Sequence, residues 1–210
     1  MVDMAYGKTG LQIELPDNRT TVIEPTYIPT LPDERGALIN AMRNPIGRPP
    51  LRRMIRPGQT VAISVCDITR PMPSATVLPV LLDELAHVPK EQITILVATG
   101  THRANTHEEL DGMFGSNIVH DYRIVNHDAF NEKSFTYAGD TSEGIPIWLN
   151  RHWLKSDVRI TTGFVEPHFF AGFSGGPKMV APGLAAFETI MRLHSAKFIS
   201  NPSSTWGITD

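Results

Sequence analysis

Residues 60–100, TVAISVCDITRPMPSATVLPVLLDELAHVPKEQITILVATG, decide the fold, because they hold two short apolar runs separated by a helix-like stretch. The runs TVAISVCD and QITILVATG are rich in β-branched residues, which is typical of strands buried inside a sheet. Between them, SATVLPVLLDELAHV has helical spacing, and Ser74 at its start is the expected N-cap. A strand, a helix and a second strand in this order predict a parallel sheet.

The same alternation continues toward the C-terminus. Thr106 and Glu109 have the spacing of a capping box, which predicts a helix through Met113. The further predicted elements are a strand in YRIVNHD (122–128), a hairpin in SFTYAGDTSEGIPIWLN (134–150), a strand in DVRITTGFV (157–165) and one amphipathic helix in LAAFETIMRLHSAKFI (184–199).

Toward the N-terminus, residues 33–44 predict a helix, and residues 11–26 predict a hairpin closed by the turn formers PDNR. The sequence therefore predicts an α/β fold, with a mostly parallel sheet flanked by helices in Rossmann-like layers and an N-terminal hairpin. We expect a single α/β domain over residues 1–210, with its core in about residues 60–200.

The composition is that of a globular protein, with 41% hydrophobic and 20% charged residues and a formal net charge of −3. The one dense basic group, Arg48, Arg52, Arg53 and Arg56, is expected to be a solvated loop, so neither a nucleic-acid nor a membrane partner is predicted. The single Cys66 excludes a disulfide framework and a cysteine zinc site. With no apolar stretch typical of a signal peptide or a membrane span, we expect a cytoplasmic protein.

Polar and ionisable residues follow four of the predicted strands. In open α/β sheets, ligands bind beyond the carboxyl ends of the strands, so these residues predict the rim of an active site. They are Asp67 and Arg70 after the first strand, His102 after the second, Asn126 and Asp128 after the third, and Glu166 and His168 after the fourth.

Three of these side chains are candidates for substrate chemistry. The planar guanidinium of Arg70 suits a carboxylate or a phosphate, although a surface pair with Asp67 is the alternative. His102 follows a glycine-containing turn, where an imidazole that titrates near neutrality can serve as a general base. His168 is a similar candidate, and for both histidines the alternative is a solvated loop position.

The stretch GFVEPHFFAGFSGGPKMVAPG (163–183) is too rich in glycine and proline to pack as a regular helix or strand. Its SGGPK core lacks the pattern of a phosphate loop. Even so, Gly175 and Gly176 can turn backbone N–H groups toward an anion, and Lys178 can neutralise that anion or react as an amine. The alternative for Lys178 is an exposed loop lysine.

His194 lies in the predicted last helix, where a border position is the ordinary interpretation. No paired-histidine spacing marks a conventional metal site. The residues alone therefore predict an α/β ligand-binding domain, expected to be enzymatic, with no reaction assigned.

Four motifs, taken together and in order, resemble the nickel-dependent lactate racemase family, specifically its amino-terminal domain. They are DITRPMP (67–73), ATGTHR (98–103), the glycine-rich stretch 163–183, and LHSAKFISNP (193–202). The resemblance covers most of residues 10–202. It implies a nickel-pincer cofactor, a pyridinium-3,5-bisthiocarboxylic acid mononucleotide whose sulfurs and ring carbon hold the metal.

The resemblance also implies a role for each matching residue. Lys178 corresponds to the lysine that tethers the cofactor covalently through a thioamide, and His194 to the protein ligand of nickel. His102 and His168 correspond to the acid/base pair, and Arg70 to the anchor of the substrate carboxylate. The remaining residues implied at the cofactor are Asp67, Gly175 and Gly176.

The implied function is racemisation or epimerisation of a small 2-hydroxy acid, lactate or a relative, by hydride transfer to and from the cofactor. The resemblance also implies cofactor-maturation enzymes as partners and a second, C-terminal domain that closes the cleft. Because the sequence stops at Asp210, we expect it to fold alone as the N-terminal half of a two-domain enzyme and to turn over poorly. The alternative is a non-catalytic α/β domain that binds a phosphorylated metabolite or nucleotide without metal.

Overall fold

The computed structural model describes residues 1–208, which form two compact units that divide after Asp33. The N-terminal unit contains an antiparallel pair of strands, β1 (Val2–Met4) and β2 (Leu11–Ile13). Two glycines at positive φ, Gly7 and Gly10, make the turn between them. The predicted N-terminal hairpin is confirmed, but not its predicted position.

The hairpin predicted at residues 11–26 is wrong in its second strand. The turn formers PDNR contribute a 3-10 turn, Asp17–Arg19, and residues 20–33 form neither strand nor helix. Pro25 and Pro29 lack the backbone N–H that a ladder needs, whereas the chain before residue 11 can supply a full set of donors. Strand β2 therefore pairs with the residues that precede it.

The second unit is built on a sheet of four parallel strands, which confirms the predicted α/β class. In spatial order the strands are β5 (Arg123–Asn126), β4 (Ile93–Ala98), β3 (Val61–Cys66) and β8 (Val158–Thr161). The chain moves outward from β3 through β4 and β5 and then returns to the other side of β3. This reversal places a topological switch point, the usual ligand position of open α/β sheets, at the carboxyl end of β3.

One face of the sheet is covered by helices. Val61, Ile63 and Val65 of β3 point into a core that includes Leu78 and Phe114. The helices around it are α1 (Glu34–Arg43), α2 (Leu51–Met54), α3 (Ser74–Glu84), α4 (His107–Phe114) and α5 (Ser116–Asp121). Helices were predicted at α1, α3 and α4, and all three are present.

Of the two helix N-caps predicted from the sequence, the one at α4 is confirmed and the one at α3 is wrong. The capping box at α4 is confirmed: the Glu109 N–H donates to the Thr106 hydroxyl, and the Glu109 carboxylate accepts from the Thr106 N–H. Ser74 was expected to cap α3, but it is the first helical residue and Pro73 occupies the N-cap position. The proline side chain has no oxygen that could accept a hydrogen bond, so α3 begins without a side-chain cap.

The other face of the sheet carries shorter elements around a second core that includes Ala62, Leu96 and Trp153. They are the antiparallel pair β6 (Phe135–Asp140) and β7 (Pro146–Asn150), with helices α6 (Arg151–Lys155) and α7 (Phe187–Leu193). A further short helix, α8 (Ala196–Ile199), follows α7 in the chain. The predicted hairpin in residues 134–150 is confirmed as β6 and β7.

The prediction of a single helix over residues 184–199 is wrong. This segment contains two short helices, α7 and α8, and residues 184–186 before them are not helical. Ala185 and Ala186 contact β7 through main-chain groups, with the Ala186 N–H donating to Trp148 O, so the helix begins only at Phe187. His194 ends α7, and a new short helix begins at Ala196. Among the described residues, no helix combines the length and the apolar character needed to cross a membrane.

Candidate functional site

A cavity of about 240 Å³ lies at the switch point, beyond the carboxyl ends of β3 and β4. It brings together seven of the eight residues that the resemblance selected, which are Asp67, Arg70, His102, His168, Gly175, Lys178 and His194. Gly176 follows Gly175 in the chain but does not line the cavity. Of the residues predicted at the strand ends, Asp67, Arg70, His102 and His168 therefore line one cavity.

Asp67 is bound by two side chains immediately after β3. It is only 4% exposed, and its Oδ2 lies 2.7 Å from His102 Nδ1. Its Oδ1 accepts a hydrogen bond from the Thr69 hydroxyl at 2.7 Å. Among the described residues Asp67 pairs with His102 and not with Arg70, so the surface pair considered from the sequence does not form.

His102 is therefore oriented by a carboxylate. Because a carboxylate only accepts, the proton on Nδ1 is donated to Asp67, and Nε2 keeps its lone pair. The loop that carries His102 is held in place: the Thr99 hydroxyl donates to His127 O at 2.6 Å, and the Gly100 N–H donates to Gly183 O at 3.0 Å. A histidine in this arrangement can act as a general base through Nε2.

His168 lies in a short antiparallel pair, β9 (Pro167–His168) with β10 (Gly172–Phe173). Its Nδ1 accepts the N–H of Ala171 at 3.3 Å, so in the neutral ring the proton is on Nε2. Partial burial, followed by the charges of Lys178 and Arg70, lowers the pKa of His168 below 6.5. The ring is thus held in its neutral form near pH 7.

Lys178 projects from the 3-10 turn Gly176–Met179, which follows Gly175 at a φ of +70°. A side chain at Gly175 would meet Val165 Cγ2 at 2.9 Å, so both the backbone conformation and the space require glycine there. Burial lowers the pKa of Lys178 below 10.5, and the Arg70 charge lowers it further. A lysine with a lowered pKa offers a larger fraction of neutral, nucleophilic amine.

His194 stands at the C-terminal end of α7. Its Nδ1 lies 2.7 Å from Ile190 O and must donate to that carbonyl, which leaves the Nε2 lone pair for a ligand. The Phe170 ring packs against it edge-to-face, with the ring centroids 5.1 Å apart. In the described part of the chain, no group of three or more His, Cys, Asp or Glu side chains could hold a metal ion by itself. Because His194 lines the cavity, the Nε2 lone pair is available to a ligand there.

Several residues of the site were missed from the sequence. Met179 and Ser174 line the cavity, and so does Cys66, whose thiol has a pKa raised by burial. The Ser174 hydroxyl donates to Phe164 O at 2.6 Å and accepts the Glu166 N–H at 3.0 Å, which fixes the loop before His168. The motif SGGPKM contained two of these residues, but its pattern marked only the glycines and the lysine.

No role was predicted for His127 from the sequence, yet its buried ring forms hydrogen bonds to two other segments of the chain. It is 1% exposed, its Nε2–H donates to Ala185 O at 2.9 Å, and its Nδ1 accepts from the Asn150 amide. Burial lowers its pKa below 6.5, so the ring is neutral. Asn126, predicted at the rim, does not line the cavity and instead bonds the main chain of Asn105.

Comparison with known proteins relates this arrangement to a family. The chain matches the model described as lactate racemase N-terminal domain over residues 6–207. It is 35% identical over 214 residues to the lactate racemase of Thermoanaerobacterium thermosaccharolyticum, covering 100% of this chain and 50% of that protein. It is 37% identical over 211 residues to the lactate racemase of Lactiplantibacillus plantarum, covering 98% of this chain and 50% of that protein.

Solved structures agree with the sequence matches. The lactate racemase apoprotein from T. thermosaccharolyticum superposes with a TM-score of 0.86 at 36% identity, over 99% of this chain and 49% of that one. A Thermotoga maritima protein superposes with a TM-score of 0.70 at 26% identity, over 88% and 46% of the two chains. The chain spans about half the length of the curated relatives it matches. By its match over residues 6–207 and its identity to two curated relatives, the chain belongs to the lactate racemase family and corresponds to the N-terminal domain of that family.

Proposed function

We propose that this chain is the cofactor-binding half of an isomerase that racemises or epimerises a 2-hydroxy acid, with lactate as the first candidate. Both curated relatives are named lactate racemase, and the family model describes the N-terminal domain of that enzyme. The observation that carries the proposal is that four side chains line a single cavity. They are His102 and His168, which have different hydrogen-bond partners, Lys178, whose pKa is lowered, and His194, whose Nε2 lone pair is left for a ligand.

The residues of the cavity fit a nickel-pincer pyridinium mononucleotide. Lys178 would hold the group covalently, since burial favours its neutral amine, and His194 would bind the metal through Nε2. Because the described residues supply no cluster of further ligands, a group that brings its own donor atoms suits the site. Gly175 lines the cavity at positive φ and would let the backbone approach it, whereas Gly176, also at positive φ, does not line the cavity. When bound, this cofactor supplies a hydride acceptor beside the substrate.

The first proton transfer belongs to His102. Its Nε2 accepts the proton of the substrate 2-hydroxyl, while Asp67 holds the ring and stabilises the imidazolium that forms. Arg70 lines the same cavity and would bind the substrate carboxylate through its planar guanidinium, which orients the 2-carbon. A positioned base of this kind contributes about 10² to 10⁴ in rate.

The second proton transfer belongs to His168. Since Nδ1 accepts the Ala171 N–H, Nε2 is the atom that exchanges a proton with the 2-oxygen of the substrate. A neutral imidazole that gave up its N–H would become an imidazolate, so the ring returns the proton as an imidazolium and ends neutral. Racemisation needs an acid/base group for each face of the substrate, and a second histidine meets that need. The two rings have different hydrogen-bond partners, a carboxylate for His102 and backbone N–H groups for His168.

Isotope labelling tests the proposal. The chain, co-expressed with cofactor-maturation enzymes, is incubated with each enantiomer of C2-deuterated lactate and of related 2-hydroxy acids, and the products are separated by chiral chromatography. We expect slow interconversion with deuterium retained at C2, because a hydride that leaves and returns does not exchange with water. Washout of the label, or no interconversion of any acid at protein concentrations comparable with substrate, would contradict the proposal.

A further inference from the structure

The position of Lys178 depends on the residue that follows it. Lys178 reaches the cavity from the turn Gly176–Met179, and Met179 at the end of that turn is only 7% exposed. One peptide bond joins Lys178 to Met179. Any group that fixes the Met179 main chain therefore also fixes the starting point of the lysine side chain.

Ser64 on β3 is such a group. Its hydroxyl donates to Met179 O at 2.8 Å, and the residue is 0% exposed. Ser64 interrupts the apolar run VAISVC, and a buried hydroxyl is unfavourable unless it is hydrogen-bonded. The Ser64 carbonyl in turn accepts the Thr162 N–H at 2.9 Å, so the strand itself is held at this point. The hydroxyl thus connects the fixed sheet to the turn that carries Lys178.

The space around Met179 is filled. A Cβ added at Gly163 would lie 3.0 Å from Met179 Cγ, and one added at Gly183 would lie 2.7 Å from Met179 O. On the side of β3, Cys66 Sγ lies 3.7 Å from Met179 Sδ. Met179 is therefore enclosed on several sides, and the hydrogen bond from Ser64 sets where its carbonyl lies within that space.

We propose that Ser64 is a positioning residue for Lys178, because its hydroxyl, acting through the Met179 carbonyl, holds the lysine amine inside the cavity. The proposal rests on the proposed function only in naming Lys178 as the point of cofactor attachment. Ser64 does not line the cavity, so it acts through the turn and does not contact the ligand.

Loss of the hydroxyl would change the environment of the amine. Without its donor, Met179 O would draw water into the site and the turn would relax. Burial is the main cause that lowers the pKa of Lys178, Arg70 lowers it further, and Glu166 and Cys66 oppose them. A more hydrated amine would therefore titrate closer to the ordinary lysine value of 10.5.

Competitive acetylation of the cofactor-free chain tests the proposal. The protein is treated with trace acetic anhydride over a range of pH, and peptide mass spectrometry compares Lys178 with the exposed Lys155 in the same sample. For Ser64→Ala we expect the Lys178 midpoint to rise by about 0.5 pH unit or more, which is about a threefold lower relative rate below the midpoint.

The matched control is Ser156→Ala. The Ser156 hydroxyl also donates to a main-chain carbonyl, His152 O at 2.8 Å, but lies outside the cavity. This variant should lose a similar hydrogen bond and leave the Lys178 midpoint unchanged. A Ser64→Ala protein whose Lys178 midpoint equals that of wild type would overturn the proposal.

A second variant covers the case in which Ser64→Ala does not fold. Ser64→Cys keeps nearly the same volume but offers only a weak S–H donor, so the Lys178 midpoint should move in the same upward direction. An unchanged midpoint would again overturn the proposal. Because the labelling uses cofactor-free protein, its outcome is separate from the proposed function, which would fail if the wild-type chain interconverted no 2-hydroxy acid.

Discussion

At the scale of single residues, the site depends on a buried carboxylate that orients a histidine. The resemblance assigned Asp67 to the cofactor, whereas the geometry has both of its oxygens occupied by His102 and Thr69. These two roles differ in their consequences. A cofactor contact would affect loading, and a positioning contact would affect the rate of loaded protein.

Asp67→Asn separates the two roles. The amide keeps the volume but can present N–H to Nδ1 and so impose the wrong tautomer, which we expect to lower the racemisation rate of loaded protein by about 10² to 10⁴. Cofactor loading, measured by intact mass, should be unchanged. Thr69→Val removes only the neighbouring hydroxyl and should cost much less. A loading defect with a normal rate per loaded molecule would assign Asp67 to the cofactor instead.

The sequence indicated most of the ionisable residues that line the cavity, and it did so for a physical reason. Side chains that follow parallel strands converge at one edge of the sheet, so the pattern of strands alone predicts that Asp67, Arg70 and His102 lie close together. Ser64 and His127 could not be found in this way. Their roles depend on partners that lie 115 and 58 residues away, and no local pattern records such contacts.

At the scale of elements, a buried carboxylate joins the helices on one face of the sheet. Glu84 of α3 is 4% exposed and accepts hydrogen bonds from Arg43 of α1 and Arg52 of α2. These hydrogen bonds lower the pKa of Glu84 below 4.5. The arginine group expected from the sequence to be only a solvated loop therefore contributes Arg52 to a structural contact.

Glu84→Gln tests this contact through its pH dependence. The folded-state pKa is lowered, so the ionised pair stabilises the protein above the ordinary carboxyl pKa, and that stability is lost as the pH falls through the folded value. We expect the variant to unfold at lower urea concentration than wild type at pH 7, with a smaller difference at about pH 3. Asp83→Asn, which removes an exposed pair with Arg35, is the control and should change little. A difference that stays constant with pH would contradict the role of the charge.

Elements were predictable where the apolar pattern was strong. The runs of β3 and β4 are visible in the sequence because each is a continuous apolar segment rich in β-branched residues. The capping box of α4 is visible because it joins two residues three positions apart. The break in residues 184–199 was not predictable in this way. The chain before Phe187 contacts β7, and this tertiary contact overrides a helical pattern that continues in the sequence.

At the scale of the whole molecule, the chain spans about half the length of the curated relatives it matches. The cavity is open enough that the His102 side chain remains 49% exposed. Exclusion of water strengthens the electrostatic interactions within a site, so an open cavity explains why we expect slow turnover from this chain alone. Under the proposed function, cofactor binding would not depend on closure, because the two residues proposed to hold the cofactor, Lys178 and His194, both belong to this chain.

The most direct test of the account is therefore the intact mass of the chain, with parallel metal analysis, after co-expression with cofactor-maturation enzymes. Wild type is compared with Lys178→Ala and with Lys155→Ala, which removes an exposed lysine outside the cavity. We predict a nickel-containing mass increment on wild type and on Lys155→Ala, and none on Lys178→Ala. An increment that persists in Lys178→Ala, or that is missing from all three proteins, would contradict the claim that this cavity carries the cofactor on Lys178.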